Sequence, residues 1–254
     1  MLLKQYKVDK LNVKIFDTRN SMGKASGEEA AAYMKELLRE KDSISVMFGA
    51  APSQNEVLET LCSSDVDWTR VNAFHMDEYV GLSEEHAAGF RNFLKRTIFN
   101  RLPFKSIHLI NGNAENVEEE CNRYEKLLRD YQLDVCMLGI GENGHIAFND
   151  PGVADFNDQV MVKVVEIDEI CRMQQVHDGC FSSLEEVPKS AITVTVPGLC
   201  AASGMFCTVP SKTKALAVKE TLKGPISEMC PATVLRQQKN AFLYTDKDSA
   251  SLIL

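Results

Sequence analysis

The chain has 254 residues, of which 44% are hydrophobic and 25% are charged, as is typical of a globular protein and not of a disordered or fibrous one. The 36 acidic and 28 basic residues give a net charge of −8, which disfavours a general surface for nucleic acid or anionic membrane. The apolar runs fall short of the ~20 residues of a membrane helix and the N-terminus lacks a signal-peptide core, so we expect a soluble cytoplasmic protein with no nucleic-acid or membrane partner.

Segments with strand-like and helix-like patterns alternate along the whole chain. Capping-box residues Ser26 and Glu29 predict a helix through Leu38. The predicted strands are 43–48, 71–75, 107–110, 135–138, 160–167, 191–196, 205–209 and 241–244. Further helices are expected over 51–60, 90–98, 117–131 and 214–222. This alternation predicts an α/β fold in one domain, residues 1–254, with a Rossmann-like, mostly parallel sheet and helices on both faces.

The eight cysteines are scattered through predicted strands and helices without any CxxC or CxxH pair. This spacing favours buried free thiols over a disulfide scaffold or a metal site. We therefore predict no metal centre.

Ligands of open parallel sheets bind beyond the carboxyl ends of the strands, and three segments of this chain occupy such positions. The first is the small-residue loop from Gly49 through Ala50 to Ser53, where backbone amides and the start of a helix can bind phosphate. Ser53 could instead cap that helix, with Glu56 completing a capping box. The loop matches neither a dinucleotide nor an ATP fingerprint, which favours an enzyme without a nucleotide cofactor.

The second segment places Asp77 and Glu78 just after the strand 71–75. Adjacent carboxylates at this position can form a solvated turn, or one of them can abstract a proton from a substrate.

The third segment, 138–151, is rich in glycine and contains His145, with Asn143 and Asp150 nearby. Gly141 and its neighbouring glycines permit an unusual backbone path after a buried strand. An imidazole held in such a loop suits proton transfer at a sugar oxygen. The other histidines do not lie in a glycine-rich loop with an acidic residue and an asparagine nearby, and we expect His86 and His108 to be structural.

These segments resemble the glucosamine-6-phosphate deaminase family, whose members isomerise an aldose phosphate to a ketose phosphate and release ammonia. The most specific blocks are HMDEYVGL and GENGHIAFNDP, supported by INGNAENVEEECNRYE, VPKSAITVTVPGL and SKTKALAVKETLKGPI. The resemblance extends from about residue 43 to the last predicted strand.

The resemblance implies that His145 assists opening of the sugar ring, oriented by Asp150 and Asn143, and that Asp77 transfers a proton between C2 and C1. It implies no metal or cofactor. Asn143 stands where some relatives have Asp, and Asp150 where many have Glu, so we expect the relay to His145 to differ in geometry or to be bridged by water.

For a phosphosugar substrate, the resemblance implies a phosphate site built from the small-residue loop, an arginine and a lysine. Lys214 matches the lysine and Arg172 is the predicted arginine, with His177 as the alternative. Gly141 is a further predicted substrate contact.

Other functions remain open at this stage. Related 6-phosphogluconolactonases carry a histidine in a comparable glycine-rich loop, and a non-catalytic sugar-phosphate sensor would lack the base or the histidine. The substrate could be glucosamine 6-phosphate or its C4 epimer, galactosamine 6-phosphate. The sequence also leaves a homo-oligomer open.

Overall fold

The computed structural model describes residues 1–254 and contains two β-sheets. In chain order the strands are β1 (Leu2–Val8), β2 (Leu11–Phe16), β3 (Ile44–Phe48), β4 (Val71–His75), β5 (Asp77–Tyr79), β6 (Ser106–His108), β7 (Val135–Leu138), β8 (Val162–Glu166), β9 (Ser190–Val194), β10 (Gly204–Val209) and β11 (Ala241–Asp246). The main sheet has eight strands in the order β1-β2-β11-β10-β7-β3-β4-β6, and every pairing except β1 with β2 is parallel.

Seven α-helices connect these strands. They are α1 (Arg19–Glu40), α2 (Asn55–Cys62), α3 (Phe90–Leu94), α4 (Val117–Tyr131), α5 (Glu169–His177), α6 (Val196–Cys200) and α7 (Ala215–Lys223). Buried residues of α1, α2 and α3 pack on one face of the main sheet, and those of α4, α6 and α7 pack on the other. The predicted α/β class, with helices on both faces of a mostly parallel sheet, is confirmed. None of the helices combines the length and apolar composition needed to cross a bilayer.

The two-sided packing explains why the central strands were predictable. All five residues of β3 and all four of β7 are buried, because helices cover both faces of the sheet there. The hairpin of β1 and β2 was not predicted. The strand β1 is largely exposed, and its sequence, with two lysines, does not show a regular alternation of apolar and polar residues.

The segments predicted as strands at 160–167 and 191–196 do form β8 and β9, but they leave the main sheet. They pair antiparallel with each other, and β9 also pairs antiparallel with β5. Propensity identifies these strands, whereas their partners depend on chain segments that are distant in sequence.

The predicted start of the first helix is wrong. The helix begins at Arg19, where the side chain of Thr18 accepts a hydrogen bond from the Ser21 amide. Ser26 lies inside the helix, fully buried, and its hydroxyl contacts the Thr208 hydroxyl at 2.8 Å. The eight cysteines are free thiols, but only four of them are buried as predicted: Cys121, Cys136, Cys171 and Cys207. The other four are half-buried.

We expect Thr18→Ala to lower the free energy of unfolding by about 1 kcal/mol, because the first turn of α1 loses its cap. Thr18→Asp keeps an acceptor for the Ser21 amide and serves as the control, with unfolding followed by urea titration. An unchanged stability of Thr18→Ala would contradict this start for α1.

Candidate active site

A cavity of about 160 Å³ lies beyond the carboxyl ends of β3, β4, β7 and β10. Loops after parallel strands converge at this edge of a sheet, which is where ligands bind in such folds. The predicted site residues that line it are Gly49, Ala50, Ser53, Asp77, Gly141, His145 and Lys214. The three segments selected from the sequence therefore meet in one place.

The two adjacent carboxylates after β4 face different surroundings, because side chains alternate along β5. Glu78 accepts hydrogen bonds from the amides of Tyr79, Phe90 and Arg91, and so holds the start of α3 in place. Asp77 faces the cavity, is 7% exposed, and accepts no hydrogen bond. Of the two, Asp77 is the one available to a ligand.

The environment of Asp77 favours its protonated form. Burial, and secondarily the neighbouring negative charge of Glu78, raise the pKa of Asp77 well above its ordinary value. A carboxylate in such a position is a stronger base than one in water, which suits it to removing a proton from carbon.

His145 is held from behind by two acceptors. Its Nδ1 lies 2.9 Å from an Asp150 carboxylate oxygen and 2.7 Å from the side-chain oxygen Oδ1 of Asn143. The Asn143 amide group also donates to the same Asp150 oxygen, at 3.0 Å. The Asp150 side chain, although shorter than a glutamate, therefore contacts the imidazole directly, and no water bridges the two groups.

These contacts fix the protonation pattern of the imidazole. Both partners of Nδ1 are acceptors, so in the neutral form of the imidazole Nδ1 carries the proton and Nε2, which lies 3.8 Å from the Cys171 sulfur, is the acceptor. Burial tends to raise the pKa of Asp150, but the hydrogen bonds from His145, Asn143 and the Asp168 amide hold it below its ordinary value. Asp150 is thus an anion behind a histidine whose Nε2 can accept a proton.

Two glycines make this loop conformation possible. A β-carbon at Gly141 would lie 2.1 Å from the imidazole of His145, so only glycine leaves room for the ring. Gly144 has a φ of +88°, in the region that L side chains rarely adopt, and a β-carbon there would lie 2.7 Å from the sulfur of Cys230. The position of His145 thus depends on glycine at both places.

Cys171 is a neighbour of the histidine that sequence reasoning missed. Its sulfur lies 3.8 Å from His145 Nε2, and burial raises its thiol pKa well above the ordinary value. Cys171, His145 and Asp150 bring donor atoms within 4.8 Å of one another, as a metal site would. The hydrogen bonds from thiol to imidazole to carboxylate account for this proximity without a metal.

Lys214 lies between β10 and α7, immediately before the first residue of α7, and is 5% exposed. Its ammonium group is buried without a hydrogen-bond partner in the chain, and burial lowers its pKa. A buried ammonium without a partner is costly, so this position favours the binding of an anion.

The structure does not bring Arg172 or His177 to the cavity. The Arg172 guanidinium donates to the backbone carbonyls of Leu184 and Val187, and Arg172 does not line the cavity. His177 is mostly exposed and its Nδ1 lies 3.5 Å from a Glu142 carboxylate oxygen. The binding role of Arg172 therefore stays a prediction, and the structure places its side chain against the segment that follows α5.

The alternative role for Ser53 is also not observed. The α2 helix begins without a side-chain cap, and the Ser53 hydroxyl accepts a hydrogen bond from the Gln54 side chain at 3.2 Å. Other cavity-lining residues were absent from the sequence prediction: Arg19, Gln174, Gln175, Asp178 and Thr213. Arg19 precedes residue 43, where the recognised motifs begin, so no motif indicated it.

Comparison with known proteins places the chain in a family. A sequence model described as glucosamine-6-phosphate isomerases/6-phosphogluconolactonase matches residues 17–244. The chain belongs to this family. Within it, the chain is 36% identical to the glucosamine-6-phosphate deaminase of Bacillus cereus over 219 residues, covering 86% of this chain and 82% of the relative. A Bacillus anthracis protein of the same name has the same identity and coverage.

Solved structures of the family share the fold. A structure described as a monomeric glucosamine-6-phosphate deaminase, a missing link of its superfamily, superimposes with a TM-score of 0.86 at 27% identity, covering 94% of this chain and 99% of that one. The 6-phosphogluconolactonase of Trypanosoma brucei gives a TM-score of 0.77 at 15% identity, with 99% and 100% coverage, and so shows the fold alone.

We expect nitrogen NMR of the histidine side chains to show the proton of neutral His145 on Nδ1, since Asp150 and Asn143 both accept from it. Asp150→Asn should shift the population towards the Nε2-protonated form, because the anionic acceptor is lost. Asp155→Asn, on an exposed loop nearby, is the control. An Nε2-protonated His145 in the unmodified protein would contradict the assignment.

Proposed function

We propose that this family member converts glucosamine 6-phosphate and water to fructose 6-phosphate and ammonia. The observation that carries the proposal is the cavity shared by three groups: the buried carboxylate of Asp77, the oriented imidazole of His145 and the unpartnered ammonium of Lys214. A base, a proton shuttle and an anion-binding cation are what isomerisation of a phosphosugar requires.

The relatives support this reaction over the alternatives. The 36% identity to proteins named glucosamine-6-phosphate deaminase covers most of both chains. The solved 6-phosphogluconolactonases are similar in fold only, and fold does not decide chemistry. A sensor without catalysis has no need of a base and an oriented histidine on one cavity.

Ring opening is the first proposed step. The Nε2 lone pair of His145 accepts the proton of the anomeric hydroxyl, and the same proton is then delivered to the ring oxygen as the C1–O5 bond breaks. The Asp150 carboxylate stabilises the transient imidazolium through Nδ1. This step needs no change in the charge of Asp150.

Isomerisation and loss of ammonia follow. Asp77 removes the proton from C2 of the open-chain aldehyde while a proton of the C2 ammonium group moves to the C1 oxygen, which gives an enolamine. Protonated Asp77 then returns its proton to C1. The resulting C2 iminium adds water and expels ammonia, leaving the C2 ketone of fructose 6-phosphate. The raised pKa of Asp77 makes both the removal and the return of the proton accessible to one side chain.

An assay of the purified chain with three substrates tests the proposal. We expect ammonia release from glucosamine 6-phosphate, with formation of fructose 6-phosphate. Ammonia release from galactosamine 6-phosphate and not from glucosamine 6-phosphate would show that the substrate is the C4 epimer. Acid release from 6-phosphogluconolactone without ammonia release from either amino sugar would overturn the proposal in favour of a lactonase.

Asp77→Asn should abolish turnover, by at least about a thousandfold in kcat, because an amide cannot accept the C2 proton. Substrate binding should persist, since asparagine preserves the shape of the side chain. Steady-state kinetics and calorimetric binding check this result, with Glu85→Asn on the exposed surface as the control. An Asp77→Asn variant with the unmodified rate would show that the base is another group.

The pH profile of kcat/KM, which reports ionisations of the free enzyme, should report the raised pKa of Asp77. The base acts as a carboxylate, so activity rises with pH through its folded pKa, and the acidic limb should lie well above the ordinary value of about 3.9. Glu78→Gln removes the neighbouring negative charge and should move the limb to lower pH. Glu85→Gln is the control, and a limb that moves upward in Glu78→Gln would contradict the assigned cause.

A further inference from the structure

The cavity has only two arginine or lysine side chains in its lining, Arg19 and Lys214. A phosphoryl dianion bound in a site with little solvent needs cationic donors, and a guanidinium is well matched to its oxygens because it donates in a planar fork. Since Arg172 is bonded to carbonyls elsewhere, Arg19 is the one guanidinium available to such a ligand.

The packing of α1 against α2 brings Arg19 to the cavity. A β-carbon at Gly23 would lie 2.3 Å from the Glu56 side chain, and one at Gly27 would lie 2.6 Å from the Thr60 side chain. The two helices therefore approach closely along the face of α1 that contains both glycines. Arg19 is one turn before Gly23 on the same face, which places it over the small-residue loop that precedes α2.

Contacts with that loop and with α2 orient the guanidinium. Its Nε donates to a Glu56 carboxylate oxygen at 2.8 Å, and its Nη2 donates to the Pro52 carbonyl. The remaining nitrogen, Nη1, makes no hydrogen bond within the chain. The side chain is 39% exposed, so its position is fixed on one edge while another edge is open to a ligand.

Lys214 complements this arrangement from the other side of the sheet edge. Its ammonium is buried and unpartnered, whereas Arg19 is partly exposed and already anchored. A phosphoryl group between the small-residue loop and these two side chains would satisfy the buried ammonium and occupy the free edge of the guanidinium. No other part of the cavity offers two cations to one anion.

We propose that Arg19, and not Arg172, is the arginine that binds the phosphoryl group of the substrate together with Lys214, and that Glu56 positions it. The proposal rests on the phosphosugar substrate argued above, and it assigns the recognition of phosphate to a helix outside the motifs of the histidine and carboxylate segments. Arg19 is a substrate-binding residue, and Glu56 acts through it.

The test compares Arg19→Gln with two other arginine variants in the intact chain. Arg101→Gln is the matched control, because Arg101 pairs with Glu59 of the same helix α2 but does not line the cavity. Arg172→Gln tests the arginine expected from the sequence. The measurements are the Kd of inorganic phosphate by calorimetry, KM and kcat for glucosamine 6-phosphate, kcat/KM for unphosphorylated glucosamine, and the melting temperature.

We expect Arg19→Gln to weaken phosphate binding and to raise KM for the phosphorylated sugar by about tenfold or more, as for the loss of a charge-assisted hydrogen bond. The ratio of kcat/KM between phosphorylated and unphosphorylated substrate should fall by the same factor. Arg101→Gln and Arg172→Gln should leave phosphate binding unchanged.

Two further variants keep the test independent of folding. Arg19→Lys retains the charge but cannot contact Glu56, Pro52 and a ligand at once, so its phosphate Kd should lie between those of the unmodified chain and Arg19→Gln. Glu56→Gln should raise KM for the phosphorylated sugar with little change in kcat, and should leave kcat/KM for unphosphorylated glucosamine unchanged, because it loosens only the orientation of Arg19.

The outcomes separate this inference from the proposed function. Turnover of glucosamine 6-phosphate with an unchanged KM in Arg19→Gln would overturn the role of Arg19 and leave the reaction intact. Arg19-dependent phosphate binding in a chain that turns over none of the amino sugars would support the site and refute the reaction. Loss of phosphate binding in Arg172→Gln alone, or equal loss in Arg19→Gln and Arg101→Gln, would also overturn it, as would an unmodified chain that binds no phosphate.

Discussion

The contact between a buried carboxylate and the back of an imidazole organises the site of this protein. Asp150 is fully buried, and its oxygens accept from His145, from the Asn143 side chain and from the Asp168 amide. These contacts hold the Nδ1 edge of the imidazole against Asp150, and the His145 side chain lines the cavity. The glycine at 141 permits that arrangement, since any larger residue would displace the ring.

The cavity contains two charges that burial disfavours. Burial raises the pKa of Asp77 and lowers the pKa of Lys214, so each is held in an environment that opposes its ionised form. A substrate with a phosphoryl group at one end and a weakly acidic carbon-bound proton at the other would relieve both. The anion offsets the desolvation of the ammonium, and the proton is transferred to the carboxylate.

Family membership alone leaves the reaction open, because the fold serves both deaminases and lactonases. In this chain a carboxylate at the start of β5 faces the histidine loop across one cavity, while the adjacent Glu78 supports the backbone of α3. Asp77 and Glu78 are both carboxylic acids, but side chains alternate along β5, so one faces the cavity and the other faces the backbone of α3.

The sequence by itself determined the fold class, the central strands and the segments that carry Asp77 and His145, because continuous apolar runs and glycine-rich loops are local properties. The resemblance to the family indicated Lys214. Tertiary structure alone decided which elements meet: β5, β8 and β9 form a separate antiparallel sheet, and α1 starts at Arg19 instead of near Ser26. It also decided which arginine lines the cavity. Arg172 is bonded to carbonyls of its own connecting segment, while Arg19 reaches the cavity through the close approach of α1 and α2. Such placements depend on packing between residues far apart in the chain, and local pattern carries no information about that packing.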